Sequence, residues 1–211
     1  MTRRIASLAA AALLYGAFVA FANPGAAAGL DAADRAELEA LSEGGLETLV
    51  IHDTPRPPIT ERWADEHGNP VGLDDYSGEV VVMNFWATWC PPCKAEMPSL
   101  DRLAGRMEGS GLAVLPISID RSPGQIADFF RGARIENLGI HHDRSRAVSR
   151  QAGVLGLPAT VILDPEGREV ARLVGDADWS SPEAVRLIER LVAMLTGPAM
   201  DQAGADAAPE G

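Results

Sequence analysis

Val80-Val81-Val82-Met83-Asn84-Phe85-Trp86-Ala87-Thr88-Trp89-Cys90-Pro91-Pro92-Cys93 decides the fold of this chain. Its first seven residues are apolar but for Asn84, the pattern of a central strand buried on both faces. From Pro91 to Met107 the apolar residues Met97, Leu100, Leu103 and Met107 recur at helical spacing. Cys90 therefore falls at a strand-to-helix corner, on the helix N-cap. Unpaired backbone N–H groups and the positive end of the helix dipole favour a thiolate there. Pro91 suits the first helical position, where its missing N–H is no loss. Cys93 lies one turn further in, within reach of a mixed disulfide held on Cys90. The arrangement makes Cys90 the nucleophile and Cys93 the resolving thiol of a thiol–disulfide exchange.

Two other uses of the pair compete with this one. A structural disulfide would be a poor staple, because closing so short a loop removes little chain entropy. A zinc site would require two further ligands, and His141-His142, expected at an exposed strand end, are the only clustered candidates.

Working outward, Leu112 to Ile119 reads as a strand and Ser122 to Arg134 as a helix opened by Ser122-Pro123. A short strand begins at Ile140, and a short helix runs from Arg146 to Gly153. Ala159 to Leu163 and Glu169 to Val174 are strands joined at Asp164-Pro165-Glu166-Gly167. Ser181 caps a last helix through Leu195, which Gly197-Pro198 ends. Alternating βαβ units followed by a hairpin and a helix predict an α/β architecture, a central mixed sheet flanked by helices. Upstream, Leu30 to Ser42 reads as an acidic helix of weak amphipathicity, expected to be a loosely docked spacer. Pro55, Pro57 and Pro58 impose extended chain, and Glu66 to Pro70 a turn between short strands.

The chain has 211 residues and a net charge of −12, and residues 23–79 alone carry −10. So acidic a chain is a poor nucleic-acid ligand, since phosphate neutralisation requires clustered Lys and Arg. Two cysteines are too few for a disulfide scaffold, and there is no Walker loop or HExxH pair. Arg3 and Arg4 precede an uncharged run from Ile5 to Ala22, long enough for a membrane anchor. Ala20-Phe21-Ala22 and Ala26-Ala27-Ala28 are sites where a signal peptidase could instead release a soluble protein. Either way the positive-inside rule sends the remainder outward, into an oxidising compartment in a bacterium. The expected organisation is a signal-anchor or signal peptide at 1–28, an acidic helical extension at 29–54, one domain at 55–196 and a disordered tail at 197–211.

The segment Asn84 to Pro98, reading NFWATWCPPCKAEMP, resembles the active-site segment of thioredoxin-like proteins of the TlpA type. Gly156 to Gly167, reading GLPATVILDPEG, is similar to that family's proline loop and hairpin. Asp74 to Gly78 fits the stretch before its central strand, and Gly175 to Trp179 is similar to the TlpA pattern as well. The resemblance covers residues 55–196. It implies a thioredoxin fold and a periplasmic thiol:disulfide oxidoreductase without a cofactor or resident metal. It also implies a cis Leu157–Pro158 bond, with Pro158 beside Cys90 to keep metal off the thiols and the Leu157 backbone pairing with an extended partner. Trp89, with Pro91 and Pro92, would line the partner surface. Cytoplasmic thioredoxins usually carry a buried Asp where this chain has Asn84. The resemblance therefore implies that Glu96, three residues after the second cysteine, deprotonates Cys93; the alternative is an ordinary solvated helix Glu.

The same resemblance implies a reductant of protein disulfides, resupplied by a membrane thiol-transporting electron donor. Its expected partners are copper-delivery proteins and the copper-bearing subunit of cytochrome oxidase, whose cysteines must be dithiols before copper binds. Reduction of apocytochrome c for haem attachment is the alternative. A Cu(I)-binding carrier using Cys90 and Cys93 as ligands is a third reading, since soft thiolates select Cu(I).

Overall fold

A computed structural model describes residues 29–197. The expected N-terminal anchor or signal at 1–28 and all of the tail beyond residue 197 lie outside the described residues. Among the described residues, no helix is long and apolar enough to cross a membrane.

Strand β4 (Val80–Trp86), which follows β1 (Val50–Arg56), β2 (Trp63–Ala64) and β3 (Pro70–Val71), is buried along its whole length. It is parallel to β5 (Leu112–Ser118), which is parallel in turn to β6 (His141–His142). On its other side β4 pairs antiparallel with β7 (Ala159–Leu163), and β7 with β8 (Glu169–Val174). The eight strands run in the order β1-β8-β7-β4-β5-β6-β2-β3. Successive side chains of β4 alternate between two cores, as a pleated strand requires. Val80, Val82 and Trp86 join a larger cluster with helix α2 (Pro91–Arg106) and helix α5 (Pro182–Thr196). Val81, Met83 and Phe85 meet Leu115, Ile117, Val161 and Leu163 on the opposite face. Asn84 shares its face with Val82 and Trp86, so its amide points into the layer that holds α2. Helices α3 (Pro123–Ala133) and α4 (Ala147–Gln151) complete the crossovers.

Three expectations need correcting. Helix α1 (Ala32–Leu41) is not a loose spacer. Leu38 is fully buried in the larger core together with Leu30, Leu46 and Leu49, and Arg190 of α5 donates to both carboxylate oxygens of Glu37 at 2.6 and 2.9 Å. Its docking comes from one helical leucine and from apolar residues outside the helix, which an amphipathicity reading does not weigh. Secondly, the boundary expected at 54/55 falls inside β1, which pairs antiparallel with β8. Residues on both sides of it therefore belong to one sheet. Thirdly, His141 and His142 are buried rather than at an exposed strand end. Trp63 and Tyr76 cover His141, and the Trp63 indole N–H donates to its Nδ1 at 2.9 Å.

Candidate active site

The corner between β4 and α2 is built by local rules. The Cys90 N–H donates to the Ala87 carbonyl and closes a turn, after which the Lys94 N–H makes the first helical bond to the Cys90 carbonyl. Cys90 is the N-cap in extended backbone. Pro91 and Pro92 remove two N–H groups that would have had no helical partner. The next donor, the Cys93 N–H, points at Cys90 Sγ at 3.3 Å. Behind the corner, Asp120 just past the end of β5 accepts from the Thr88 N–H at 2.9 Å, from its hydroxyl at 2.8 Å, and from the Ser118 hydroxyl at 2.8 Å. Asp120 is itself buried, so the turn carrying Trp89 and Cys90 is clamped to the sheet from below.

Cys90 and Cys93 form a disulfide with an S–S distance of 2.02 Å. Cys90 is 5% exposed and Cys93 fully buried, so an incoming group reaches Cys90 first. Neither His141 nor His142 serves this pair: besides the Trp63–His141 bond, His142 Nε2 lies 2.8 Å from the Asp120 carbonyl oxygen. Lys94 is exposed.

Glu96 lies one turn beyond Cys93 on the same face of α2. It is buried, and desolvation pushes its carboxyl up from 4.5 to about 7, against the hydrogen bonds it accepts. Its Oε1 accepts from the Trp179 indole N–H at 2.6 Å and from the Ala177 N–H at 3.1 Å. Its Oε2 accepts from Asn84 Nδ2 at 3.1 Å. Buried carboxyls poised near neutral pH are suited to moving protons.

The Leu157–Pro158 bond is cis. Ala159 pairs with Phe85, so Pro158 sits level with the end of β4. Trp89, Cys90, Pro91, Pro92 and Leu157 line one open cavity of about 750 Å³. The residues expected from sequence to meet a partner are thus brought to a single surface. Trp89 is 60% exposed on it, and Leu155, which the sequence did not single out, is fully exposed. Arg146, Ser149 and Arg150 of the α4 region supply polar side chains to the wall. Arg146 holds a left-handed backbone with φ 56°, a conformation that non-glycine residues adopt chiefly where the surroundings enforce it. A smaller hollow of about 360 Å³ lies beside the β7–β8 turn at Pro165, at the other end of β7 from the cysteines.

Asp120 and Trp179 are the working parts that sequence reasoning missed. A lone Asp ending an apolar strand was a usable signal for the first, because open α/β sheets place their sites at strand carboxyl ends. Trp179 closes the Gly175 to Trp179 stretch noted above, but nothing local marks it as a partner of Glu96, 83 residues away.

Residues 54–170 match the AhpC/TSA family. The thiol-disulfide oxidoreductase ResA of Bacillus subtilis (strain 168) is 30% identical over 111 residues, covering 53% of this chain and 62% of that protein. The chain thus spans less than two thirds of the length of the ResA proteins that it matches. Among solved structures, a Chlorobium tepidum protein assigned as thiol:disulfide interchange protein DsbE superposes with a TM-score of 0.57. It is 23% identical and is matched over 68% of this chain and 99% of its own, a likeness of fold. A DsbF homologue from Corynebacterium diphtheriae gives a TM-score of 0.55 at 25% identity, over 69% of this chain and 92% of its own. The fold is thioredoxin-like, as the sequence led us to expect.

Proposed function

The chain belongs to the AhpC/TSA family, and from that premise we propose that it is a thiol:disulfide oxidoreductase that reduces disulfides in partner proteins. The observation that carries the proposal is one buried line of groups: a nucleophile at the cavity mouth, a resolving thiol behind it, and a carboxyl one helical turn further on.

In the reduced protein the Cys90 thiolate attacks one sulfur of the partner's disulfide. A Cys90–partner disulfide forms, and the other partner sulfur leaves as a thiolate. Cys93 then gives its proton to Glu96, and its thiolate attacks Cys90 Sγ. The Cys90–Cys93 bond forms as the second partner thiolate departs, so the partner gains two electrons and the chain loses two. The disulfide described above is the end of this half-reaction, and a dithiol donor must reverse it. A carboxyl with its midpoint near 7 takes and returns that proton at little cost in either direction.

Trp89, Leu155 and Leu157 offer the partner an apolar surface beside Cys90, and large exposed aromatics of this kind dominate binding energy at interfaces. Pro158 is assigned to guarding the thiols, and Leu157 to pairing with an extended partner backbone. The proposed setting is the periplasmic side of a bacterial inner membrane. The run from Ile5 to Ala22 would hold the protein near a membrane thiol transporter and so raise the effective concentration of its donor. The proposed targets are the cysteine pairs of copper-delivery proteins and of the copper-bearing cytochrome oxidase subunit.

Trapping with Cys93→Ser tests the assignment. That variant should hold its partner on Cys90 as a one-to-one mixed disulfide visible by mass spectrometry, and Cys90→Ser should hold none. Recovery of copper-site proteins supports the target assignment, and recovery of apocytochromes alone replaces it with haem attachment. A Cys90–Cys93 potential near −120 mV, the value of a strong oxidase, contradicts the reductant direction.

A further inference from the structure

The two oxygens of Glu96 are held in different ways. Oε1 faces the Ala177 N–H and the Trp179 indole N–H, which can only donate. A proton on Oε1 would point at hydrogen. Oε2 has Asn84 Nδ2 as its one hydrogen-bond partner among the described residues, at 3.1 Å. The same nitrogen also donates to Thr160 Oγ1 at 2.9 Å. Asn84 Oδ1, at the other end of the amide, is buried with no hydrogen-bond partner among the described residues.

Buried side-chain oxygens are rarely left unpaired, and this one belongs to a group whose two ends exchange by half a turn about χ2. Thr160 Oγ1 can accept or donate, because its hydroxyl hydrogen rotates. We propose that Asn84 is a positioning residue that directs the proton of Cys93 to Oε2 of Glu96, its amide inverting as the proton arrives. Before transfer, Nδ2 donates to the Glu96 carboxylate and to Thr160. After transfer, Oδ1 accepts from Glu96 Oε2–H and from the Thr160 hydroxyl. The proton leaves Cys93 Sγ, whose electron pair stays on sulfur, and no bond of Asn84 breaks. One end of the amide is paired twice in either state and the other not at all, so neither state is favoured by the count of hydrogen bonds.

This inversion is open to Asn alone among residues of its shape. Asp would compete with Glu96 for the proton, and Leu would leave Oε2 without a partner in both states. Trp179 has the complementary task. Its short bond to Oε1 fixes the carboxyl plane so that Oε2, rather than Oε1, is turned to Asn84. The inference rests on Glu96 being the base for Cys93, and it adds which oxygen takes the proton and what receives it.

The test is NMR on the full, isotopically labelled, oxidised chain between pH 5 and 9, following the Glu96 carboxyl carbon, the Asn84 side-chain amide and the Trp179 indole proton. The Asn84 amide protons should lose their hydrogen-bonded shifts with the same midpoint as the Glu96 carbon, while the Trp179 indole proton stays hydrogen-bonded throughout. Glu96→Gln, whose own amide would donate to Oδ1, should hold the Asn84 signals at their low-pH position at every pH. Trp179→Phe should raise the Glu96 midpoint by about one pH unit, the scale of one lost charge-assisted bond. An Asn84 amide that does not move while Glu96 titrates, or an indole proton that moves in its place, overturns the proposal. The exchange rate separates this outcome from failure of the base itself. If Glu96→Gln leaves the pH profile of exchange unchanged, Glu96 is not the base, whereas the amide signals report the inversion independently of turnover.

Discussion

Replacing Glu96 by Gln should make the oxidised protein more stable at alkaline pH while slowing its chemistry. The carboxyl is 3% exposed, and burial lifts it from 4.5 in the unfolded chain to about 7 in the folded one. Below pH 4.5 both states carry the proton and the group has no effect on folding. Between the two values the unfolded chain ionises first, so stability falls as pH rises, and above about 7 the loss is complete. The interval of 4.5 to about 7 corresponds to a penalty on the order of 3 kcal/mol. Gln removes the ionisation yet keeps an oxygen for the Ala177 and Trp179 N–H groups. Urea unfolding at pH 4.5 and pH 8, with m unchanged, is the assay. The variant should match the parent at pH 4.5 and exceed it by about 3 kcal/mol at pH 8. A difference that is absent at pH 8, or equal at both values, refutes the account of Glu96 as a buried carboxyl poised near neutrality. The reduced variant should also resolve mixed disulfides more slowly, a trade of turnover for stability that destabilised active-site groups often show.

His141 should act with the opposite sign. Burial pushes its imidazole from 6.5 down to about 4, against a smaller opposing pull from Asp65, so its stabilising effect is present above 6.5 and is lost as pH falls towards 4. His141→Gln should flatten that acid limb in urea titrations, and a slope equal to the parent's would remove His141 as its source. Leu38→Ala should cost about 2–5 kcal/mol of stability, the range for emptying a leucine site in a core; a loss under half a kcal/mol in the same assay would return α1 to a loose appendage. Trp89→Ala should raise KM for a protein disulfide about tenfold, as loss of an interface anchor does. Its reaction with a small disulfide should be unchanged, and a parallel loss on both would assign Trp89 to the chemistry instead.

The strand-to-helix corner was legible because each part of it is local: an apolar run, a cysteine, two prolines and a helical period. The same holds for the β7–β8 hairpin, whose turn residues are contiguous. β1 was not legible, because an edge strand containing Asp53, Thr54 and Pro55 buries one side chain, Ile51, and so lacks alternation. The burial of His141 depends on Trp63, 78 residues away, and that of Glu96 on Ala177 and Trp179, 81 and 83 residues away. Nothing in the helical pattern of α2 distinguishes Glu96 from a solvated glutamate. Only the return of the chain after β8 converts it into a buried one.

The bare Trp89 and Leu155 beside the reactive sulfur would suit a second molecule of this chain as well as any client. A face-to-face pair would hide both sulfurs from the partner proteins proposed above. The −12 charge opposes such pairing, since like molecules repel over roughly a Debye length, about 10 Å at 0.1 M salt. Salt screens that repulsion, so pairing of two copies through this surface should become easier as ionic strength rises.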